Sequence, residues 1–315
     1  MTQTAIVTGG AGFIGSHVVE AFLRDGWRVL ALDDLSTGLR ANVPSRSPLI
    51  ELDIRRADEL TALFEAERPA AVCHLGAQSS VTVSVARPTF DLEVNVAGTM
   101  NVCDAARRVG APVVFASTGG ALYGNQAPRP TPEDTTAEPL APYGASKLAG
   151  EAYVGTWGRL FDVPNKILRL GNVYGPRQRS DGEAGVVAIF SDHLLRGRAP
   201  TVFGDGEQTR DYVHVGDVAR AFLKAARSAV PGTYNIATGV ERSVNELLAL
   251  LQQAAGTAID TCSSPLRSGE LHQSCMSPAR AAAELGWSAT VPFELGLRET
   301  YEWYAGEAVS PTSPA

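Results

Sequence analysis

A glycine-rich turn between a predicted strand and a predicted helix constrains the fold of this chain most strongly. The segment Thr8–Ser16 reads TGGAGFIGS and directly follows the apolar run Thr4–Val7. Gly9 permits a tight turn, Gly12 leaves room for a pyrophosphate to approach the backbone, and Gly15 lets the helix pack closely on the strand. The free N–H groups at the start of the helix would face the phosphates. The turn therefore predicts a dinucleotide-binding α/β fold.

The rest of the first half alternates short apolar runs with longer amphipathic ones. Strands are predicted at 4–7, 28–32, 71–75, 113–116 and 165–170, and helices at 13–24, 57–67, 91–108 and 143–160. This alternation predicts a Rossmann-type, doubly wound parallel sheet with helices on both faces. After residue 171 the pattern is irregular, with helices predicted at 244–255 and 278–285. We interpret that part as a smaller C-terminal α/β substrate lobe.

These patterns suggest a division of the chain into two units and a tail. We expect residues 1–170 plus about 211–237 to form the dinucleotide-binding domain. Residues from about 171–210 plus 238–304 would form the substrate lobe, and 305–315 a flexible tail.

Acidic residues at strand ends bear on the cofactor. Asp33 ends the second predicted strand, close to the offset of about 20 residues expected for a carboxylate that binds a ribose 2′-OH. With Asp34 beside it, Asp33 would repel a 2′-phosphate, so NAD is favoured over NADP. Asp53 and Ile54 follow a third apparent strand, where the edge of an adenine could be read. A simple strand-end cap remains the alternative for Asp53.

A tyrosine and a lysine are spaced as YxxxK at Tyr143 and Lys147. Their i,i+4 spacing places the phenol and the ammonium group on one face of a helix. A phenol of pKa about 10 is a poor base at neutral pH, whereas a nearby positive charge, here Lys147 and the nicotinamide of NAD, would lower that pKa. The pair predicts a tyrosine general base, although on spacing alone an ordinary helix surface remains possible.

Composition excludes several other classes. The 315 residues carry a formal net charge of −7 and no run of Lys or Arg, which argues against binding to nucleic acid or to an anionic membrane surface. No apolar run approaches the roughly 20 residues that span a bilayer. The N-terminus leads straight into a strand, without a signal-type segment. Four widely spaced cysteines argue against zinc or disulfides, so we expect no metal and a cytoplasmic location.

Several motifs together identify a family. They are TGGAGFIGS (Thr8–Ser16), Asp33, Asp53-Ile54, HLGAQ (His74–Gln78), NVAGT (Asn95–Thr99), STGGALYG (Ser117–Gly124), YGASK (Tyr143–Lys147), NVYGP (Asn172–Pro176), RDYVHV (Arg210–Val215) and RSGE (Arg267–Glu270). In these the chain resembles the extended short-chain dehydrogenases/reductases, specifically the NAD-dependent nucleotide-sugar epimerases of the UDP-glucose 4-epimerase type. The resemblance extends to about Tyr304.

The resemblance implies an isomerase that inverts C4 of a UDP-hexose, of the UDP-glucose/UDP-galactose type, through a transient 4-keto sugar and NADH. Tyr143 would remove the proton of the sugar 4-OH, and Lys147 would hold the nicotinamide ribose. The implied cofactor-binding residues are Gly9, Gly12, Phe13, Ile14, Gly15, Asp33, Asp53, Ile54, Leu75, Ala77, Asn95, Tyr143 and Lys147. The implied substrate-binding residues are Ser79, Thr118, Asn172, Arg179, Val186, Val187, Val202, Arg210, Arg267, Glu270 and Ser274.

Within the substrate set, the resemblance implies three tasks. Arg210, Arg267 and Asn172 would bind the diphosphate, for which guanidinium groups are well suited. Glu270 would bind the uridine ribose. The uracil would lie in a backbone-rich slot, with its members at Val186, Val187 and Val202.

The loop after the fifth strand departs from the commonest family pattern. Gly119 stands where many relatives carry the active Ser or Thr, so we assign that hydroxyl to Thr118, with Ser117 as a close alternative. Dehydratases of this branch have an Asp-Glu pair in the loop, which eliminating water requires. Gly119 and Gly120 supply no such pair, so dehydratase chemistry is disfavoured.

The sugar itself is left open by the sequence. Arg179 resembles an arginine that meets the carboxylate in UDP-glucuronate 4-epimerases, although a solvent-facing arginine is equally consistent with its position. Ser274 stands where some relatives carry a bulky Tyr, so UDP-GlcNAc is a further alternative. More distant alternatives are a nucleotide-sugar dehydratase or reductase and a non-catalytic NAD-binding protein, against which the presence of both Tyr143 and Lys147 argues. The family commonly dimerises through the helices predicted at 91–108 and 143–160, which predicts a homodimer.

Overall fold

A seven-stranded parallel sheet forms the centre of the molecule. The computed structural model describes residues 2–181, 185–265 and 271–309. Its strands are β1 (Thr4–Thr8), β2 (Arg28–Asp33), β3 (Leu49–Glu51), β4 (Ala71–His74), β5 (Val113–Thr118), β6 (Lys166–Leu170) and β11 (Gly232–Ile236). They lie in the order β11-β6-β5-β4-β1-β2-β3, and every pair of neighbours is parallel. The predicted fold class is confirmed.

Helices cover both faces of this sheet. The helices are α1 (Phe13–Arg24), α2 (Ala57–Glu67), α3 (Val81–Ala86), α4 (Pro88–Leu92), α5 (Gly98–Arg108), α6 (Pro142–Phe161), α7 (Val186–Leu195), α8 (Val215–Arg227), α9 (Val244–Ala255), α10 (Ala279–Leu285) and α11 (Phe293–Val309), and Arg40–Asn42 forms a single 3₁₀ turn. Helices α1 and α8 pack together, and α2, α5 and α6 form a second packed group. Each group encloses one apolar core against the strands, the first around Phe22 and Phe222 and the second around Phe64 and Phe115.

The helix predicted at 91–108 is interrupted. Residues Glu93–Ala97 form a π-helical segment between α4 and α5. Such a segment adds one residue to a turn and is common near functional sites. Apolar periodicity does not reveal it, because the residues on either side keep a helical repeat.

A smaller lobe lies beyond the carboxyl ends of the sheet strands. Its strands are β7 (Asn172–Tyr174), β8 (Thr201–Phe203), β9 (Thr209–Arg210), β10 (Tyr212–His214), β12 (Arg242–Ser243) and β13 (Cys262–Ser264), which pair as β7 with β10, β9 with β12 and β8 with β13. Helices α7, α9 and α11 pack on one another around a third apolar core that includes Tyr174, Leu247 and Leu297.

The predicted tail begins too early. Helix α11 continues through Val309, so residues 305–309 extend a helix, and only 310–315 of the predicted tail lie outside the described residues. Within the described ranges, no helix is long and apolar enough to cross a membrane.

Candidate active site

The glycine-rich turn lies at the point where the strand order of the sheet reverses. Strand β1 is flanked by β2 on one side and β4 on the other, and crevices at such a switch point bind ligands in open α/β sheets. Gly9 has a φ of +67°, and a Cβ on it would lie 2.8 Å from the backbone nitrogen of Gly76 in the loop after β4. A Cβ on Gly15 would lie 2.0 Å from the carbonyl oxygen of Gly9. The turn therefore requires glycine at both positions.

This turn fits the pyrophosphate of NAD. Gly12 precedes α1 without a side-chain cap, so the first N–H groups of the helix face the crevice unobstructed. The partly buried Phe13 and Ile14 form the first turn of the helix. The donor set thus suits a phosphate group, as predicted.

Asp33 lies beside the turn at the end of β2. Its carboxylate accepts hydrogen bonds from the backbone N–H groups of Ala11 (2.9 Å) and Leu35 (2.9 Å). Burial nevertheless raises the pKa of Asp33 above its usual range. These bonds fix the carboxylate at the edge of the crevice, where an adenosine ribose would lie.

The predicted adenine-contacting pair divides into a charged and an apolar member. Asp53 forms an ion pair with Arg55 (2.6 Å), whose hydrogen bonds lower the pKa of Asp53. Ile54 is buried and packs against Gly98. A Cβ on Gly98 would lie 2.7 Å from the Cδ1 atom of Ile54.

The loop after β4 carries three of the predicted ligand-binding residues. Leu75 and Ala77 are partly buried, and Ser79 is exposed. Asn95, from the π-helical segment, holds this loop: its amide accepts from the backbone N–H of Gln78 (2.9 Å) and donates to the Gln78 carbonyl oxygen (2.9 Å). It also donates to Ser146 Oγ on α6 (3.1 Å). The structure thus places Asn95 behind the loop as its support.

Tyr143 and Lys147 lie on one face of α6, in its first two turns. Pro142 occupies the first helical position, which suits the fixed φ of proline. Lys147 is buried and donates from Nζ to the carbonyl oxygen of Ala116 on β5 (3.1 Å), above the ring of Phe115. Lys147 therefore joins the helix of the predicted catalytic pair to β5.

The pKa values of this pair differ from the expectation. Burial and the nearby carboxylate of Asp91 raise the pKa of Tyr143 to about 12. Burial lowers the pKa of Lys147 to about 8, against the opposite effects of Asp91 and Glu151. In the protein alone, burial and Asp91 outweigh any lowering of the Tyr143 pKa by Lys147, so the predicted lowering would depend on the nicotinamide charge.

Asp91 is a residue that the motifs did not indicate. It is 1% exposed on α4 and accepts hydrogen bonds from Gln78 Nε2 (2.7 Å) and Asn95 Nδ2 (3.0 Å). Its spacing of four residues from Asn95 is a usable signal, but the NVAGT motif begins at Asn95 and does not include Asp91.

The two candidate hydroxyls at the end of β5 have different surroundings. Ser117 is buried and donates to Glu151 Oε1 on α6 (2.5 Å), so its hydroxyl is engaged away from the crevice. Thr118 is partly buried, and its Oγ1 accepts from the backbone N–H of Ala121 (3.3 Å). This arrangement favours Thr118 over the alternative Ser117.

The substrate side faces the loop after Thr118. Asn172 lies next to this loop, since a Cβ on Gly120 would be 3.6 Å from its Oδ1 atom. Ser274 lines a small cavity together with Gly119 and Met276. Met276 was not predicted: a Cβ on Gly119 would lie 1.8 Å from its sulphur atom, so Met276 occupies the place of a side chain at 119.

Arg179 does not point towards the end of β5. Its guanidinium pairs with Asp181 (2.6 Å) and donates to the carbonyl oxygen of Thr37 (3.3 Å), in the loop that follows β2. It therefore lies on the ribose side of the crevice, near Asp33, and the prediction that it reads a sugar carboxylate is not supported by this position.

The remaining predicted substrate residues are distributed over the lobe. Arg210, at the end of β9, donates to the carbonyl oxygen of Thr209 (2.8 Å). Val187 and Val202 are buried in the core of the lobe, and Val186 packs partly against it. Arg267 and Glu270 lie outside the described residues.

The fold and this site define a dinucleotide-dependent α/β enzyme of the Tyr/Lys type. Residues 5–237 match the model of the NAD dependent epimerase/dehydratase family. The chain belongs to this family, as the motifs predict.

Individual relatives resemble the chain over almost its whole length. A UDP-glucose 4-epimerase from Mycolicibacterium smegmatis is 43% identical over 309 residues, which are 96% of this chain and 99% of the relative. A Thermotoga maritima UDP-glucose 4-epimerase, solved with UDP-glucose, superposes with a TM-score of 0.95 at 39% identity, covering 97% of this chain and 100% of that one. The Thermus thermophilus UDP-glucose 4-epimerase, solved with NAD, gives 0.90 at 43% identity, covering 96% and 99%.

Proposed function

We propose that this chain is an isomerase that interconverts UDP-glucose and UDP-galactose by inverting C4, with NAD as its cofactor. The observation that carries the proposal is that Lys147, four residues after Tyr143, bonds to β5 two residues before Thr118, in a sheet whose glycine-rich turn fits a dinucleotide. Relatives that are UDP-glucose 4-epimerases, at 39–43% identity, support the same substrate.

The residues of the site divide the chemistry among them. Tyr143 takes the proton of the sugar 4-OH and returns it after the 4-keto sugar has rotated to present its other face. Thr118 hydrogen-bonds the same hydroxyl. Lys147 binds the nicotinamide ribose, and Asp33 the adenosine ribose. When bound, NAD would supply a reversible acceptor for the hydride of C4 and a positive charge that favours the phenolate. Since burial raises the pKa of Tyr143, that charge is needed to make the phenol a base near neutral pH.

The division of the chain follows from these roles. We infer that residues 1–170 plus about 211–237 bind NAD, and that about 171–210 plus 238–304 bind the nucleotide sugar. In the second unit, Asn172, Arg210 and Arg267 are assigned to the diphosphate and Glu270 to the uridine ribose. Ser79 is assigned to the sugar, and Val186, Val187 and Val202 to the uracil slot.

Of the alternative sugars, one keeps a specific observation in its favour. Ser274 lines the small cavity beside Gly119, and it would crowd an N-acetyl group at C2 less than the bulky Tyr of some relatives, which makes UDP-GlcNAc a second candidate. UDP-glucuronate gains no such observation, because Arg179 pairs with Asp181 and contacts the carbonyl oxygen of Thr37.

Incubation with UDP-glucose, UDP-GlcNAc and UDP-glucuronate in turn, with the products resolved by chromatography, tests the proposal. UDP-galactose should form from UDP-glucose without net production of NADH. Tyr143→Phe should bind NAD and UDP-glucose like the wild type but turn over at least about 100-fold more slowly. Accumulation of NADH, or a Tyr143→Phe rate close to that of the wild type, would contradict the mechanism.

We also propose a homodimer and a cytoplasmic location. Large apolar side chains are exposed on the helices of one side, among them Val85, Leu92 and Leu160. Residues Tyr153, Trp157 and Phe161 form a continuous aromatic row on α6. All four cysteines are free thiols, as expected in a reducing compartment.

A further inference from the structure

A buried carboxylate lies on the same helix face as the predicted catalytic pair. Glu151 follows Lys147 by four residues and Tyr143 by eight on α6, and it is 6% exposed. Its Oε1 atom accepts from Ser117 Oγ (2.5 Å) and from Arg169 Nε (2.9 Å), and its Oε2 atom accepts from Arg169 Nη2 (2.6 Å). Both carboxylate oxygens are therefore occupied by donors from the sheet.

Arg169 reaches this carboxylate from the neighbouring strand. It stands on β6 directly opposite Ser117 of β5. Its Nη1 atom donates to Tyr123 OH (2.8 Å) and to the carbonyl oxygen of Glu133 (3.0 Å). Tyr123 belongs to the loop that follows Thr118. One guanidinium thus connects helix α6, strand β6 and that loop.

Two hydrogen bonds join α6 to the last residues of β5 before Thr118. Lys147 binds the carbonyl oxygen of Ala116, Glu151 binds the hydroxyl of Ser117, and the next residue is Thr118. We propose that the buried Glu151–Arg169 pair positions the active site, by fixing the helix that carries Tyr143 and Lys147 against the strand that ends in Thr118. The inference rests on the proposed function for the roles of these three residues.

The chemistry of the pair suits this task. A bidentate Arg–carboxylate contact fixes direction as well as distance. Removing one partner of a buried pair leaves the other charge uncompensated, so the pair resists displacement. A shift of about 1 Å between groups that must act together can reduce a rate about 100-fold. Glu151 and Arg169 bond to Ser117 and to Tyr123 of the loop after Thr118, so they act on the site through other residues.

The first test compares Glu151→Gln with a matched control. Asp217→Asn also neutralises a buried carboxylate, one that pairs with Arg220 (2.5 Å) on α8. Both variants should melt at a lower temperature than the wild type. In Glu151→Gln alone, kcat for UDP-glucose should fall by about tenfold or more, with KM within about twofold of the wild type.

The second test reads Lys147 directly and does not need turnover. The chain has three lysines, Lys147, Lys166 and Lys224, so NMR of protein labelled at the lysine ε-carbon gives three signals, and Lys147→Arg assigns one of them. The charged or titratable groups around Lys147 are Glu151 and Tyr143 on α6, Asp91 on α4 and His74 on β4. Neutralising Glu151 should lower the measured pKa of Lys147 by about one unit; Asp217→Asn should leave it unchanged.

The outcomes separate the two proposals. If kcat and the Lys147 pKa of Glu151→Gln equal those of the wild type while only the melting temperature falls, the pair is merely structural and the inference is wrong. If the wild type converts none of the three sugars, the proposed function is wrong, and the NMR titration still decides whether Glu151 acts on Lys147. Should Glu151→Gln not fold, Arg169→Lys keeps the charge but loses the bidentate contact, and kcat should fall without a shift of the Lys147 pKa.

Discussion

Two of the three lysines in the chain are buried, and burial has the same electrostatic effect on both. It lowers the pKa of Lys147 and that of Lys166 to about 8. Lys147 donates to the carbonyl oxygen of Ala116, and Lys166 donates to that of Ser228. Lys147 lies between α6 and β5 in the candidate site. Lys166 is the first residue of β6.

The lowered pKa values make stability depend on pH. Between about pH 8 and 10.5 the unfolded chain binds a proton at each lysine that the folded chain does not, so the free energy of unfolding rises with pH in this window. Below pH 8 each buried lysine is charged, and its burial lowers the free energy of unfolding by the full amount.

Replacing either lysine with methionine should therefore stabilise the protein at pH 7 and have little effect near pH 10.5. The expected gain at pH 7 is about 1–3 kcal/mol, after the lost hydrogen bond is offset. Chemical denaturation at several pH values measures it. Lys147→Met should also lose epimerase activity, whereas Lys166→Met should keep it. Equal stability differences at pH 7 and pH 10.5 would show that burial of charge is not the cause.

At the residue scale, the sequence predicted those site residues that belong to short local motifs. The Tyr143–Lys147 pair and the glycines of the turn are local patterns. Arg169 escaped prediction because its partners come from distant parts of the chain. Asp91 lies outside the motifs, although it is only four residues from Asn95. Glu151 could have been found, since it continues the i,i+4 row begun by Tyr143.

At the scale of elements, the loop between β5 and α6 packs against the segment before α10. The side chain of Met276 lies where a side chain at Gly119 would project, and Met276 is held by a hydrogen bond from its N–H to Asp211 Oδ2 (3.3 Å). Gly119 is therefore matched to one methionine far along the chain.

Gly119→Ala should consequently overpack this contact. We expect a loss of about 1–3 kcal/mol in the free energy of unfolding, because the sulphur atom must move. In a double-mutant cycle with Met276→Ala, the double variant should be more stable than the sum of the single effects predicts. Additive effects measured by denaturant unfolding would exclude a direct steric conflict.

Most helix and strand positions followed from periodicity, and α1, α2 and α9 match their predicted bounds. The π-helical segment did not follow from it. That segment is associated with tertiary contacts of Asn95, to the loop after β4 and to α6, which a repeat of apolar residues cannot encode.

At the scale of the whole molecule, the exposed apolar side chains on α4 and α6 suggest a packed partner. Leu160 is 66% exposed on α6, and Leu92 is 56% exposed on α4. The proposed homodimer would bury both.

Light scattering should give about twice the mass of one 33.2 kDa chain for the wild type. Leu160→Asp should shift the protein towards the monomer, because a carboxylate would be desolvated in the interface. Leu295→Asp, at a leucine 52% exposed on α11, is the matched control and should leave the mass unchanged. A wild type with the mass of one chain would contradict the proposed dimer.

The last strand of the central sheet, β11, comes from a later part of the chain than the other six strands. Strand β11 pairs with β6, yet the first part of the substrate lobe and α8 lie between them in the chain. During synthesis on the ribosome, one edge of β6 therefore stays unpaired until residue 236 has left the ribosome. A nascent chain stalled before that point would expose this edge to pairing with other strands. The speed of translation across the lobe therefore affects how much protein reaches the native state.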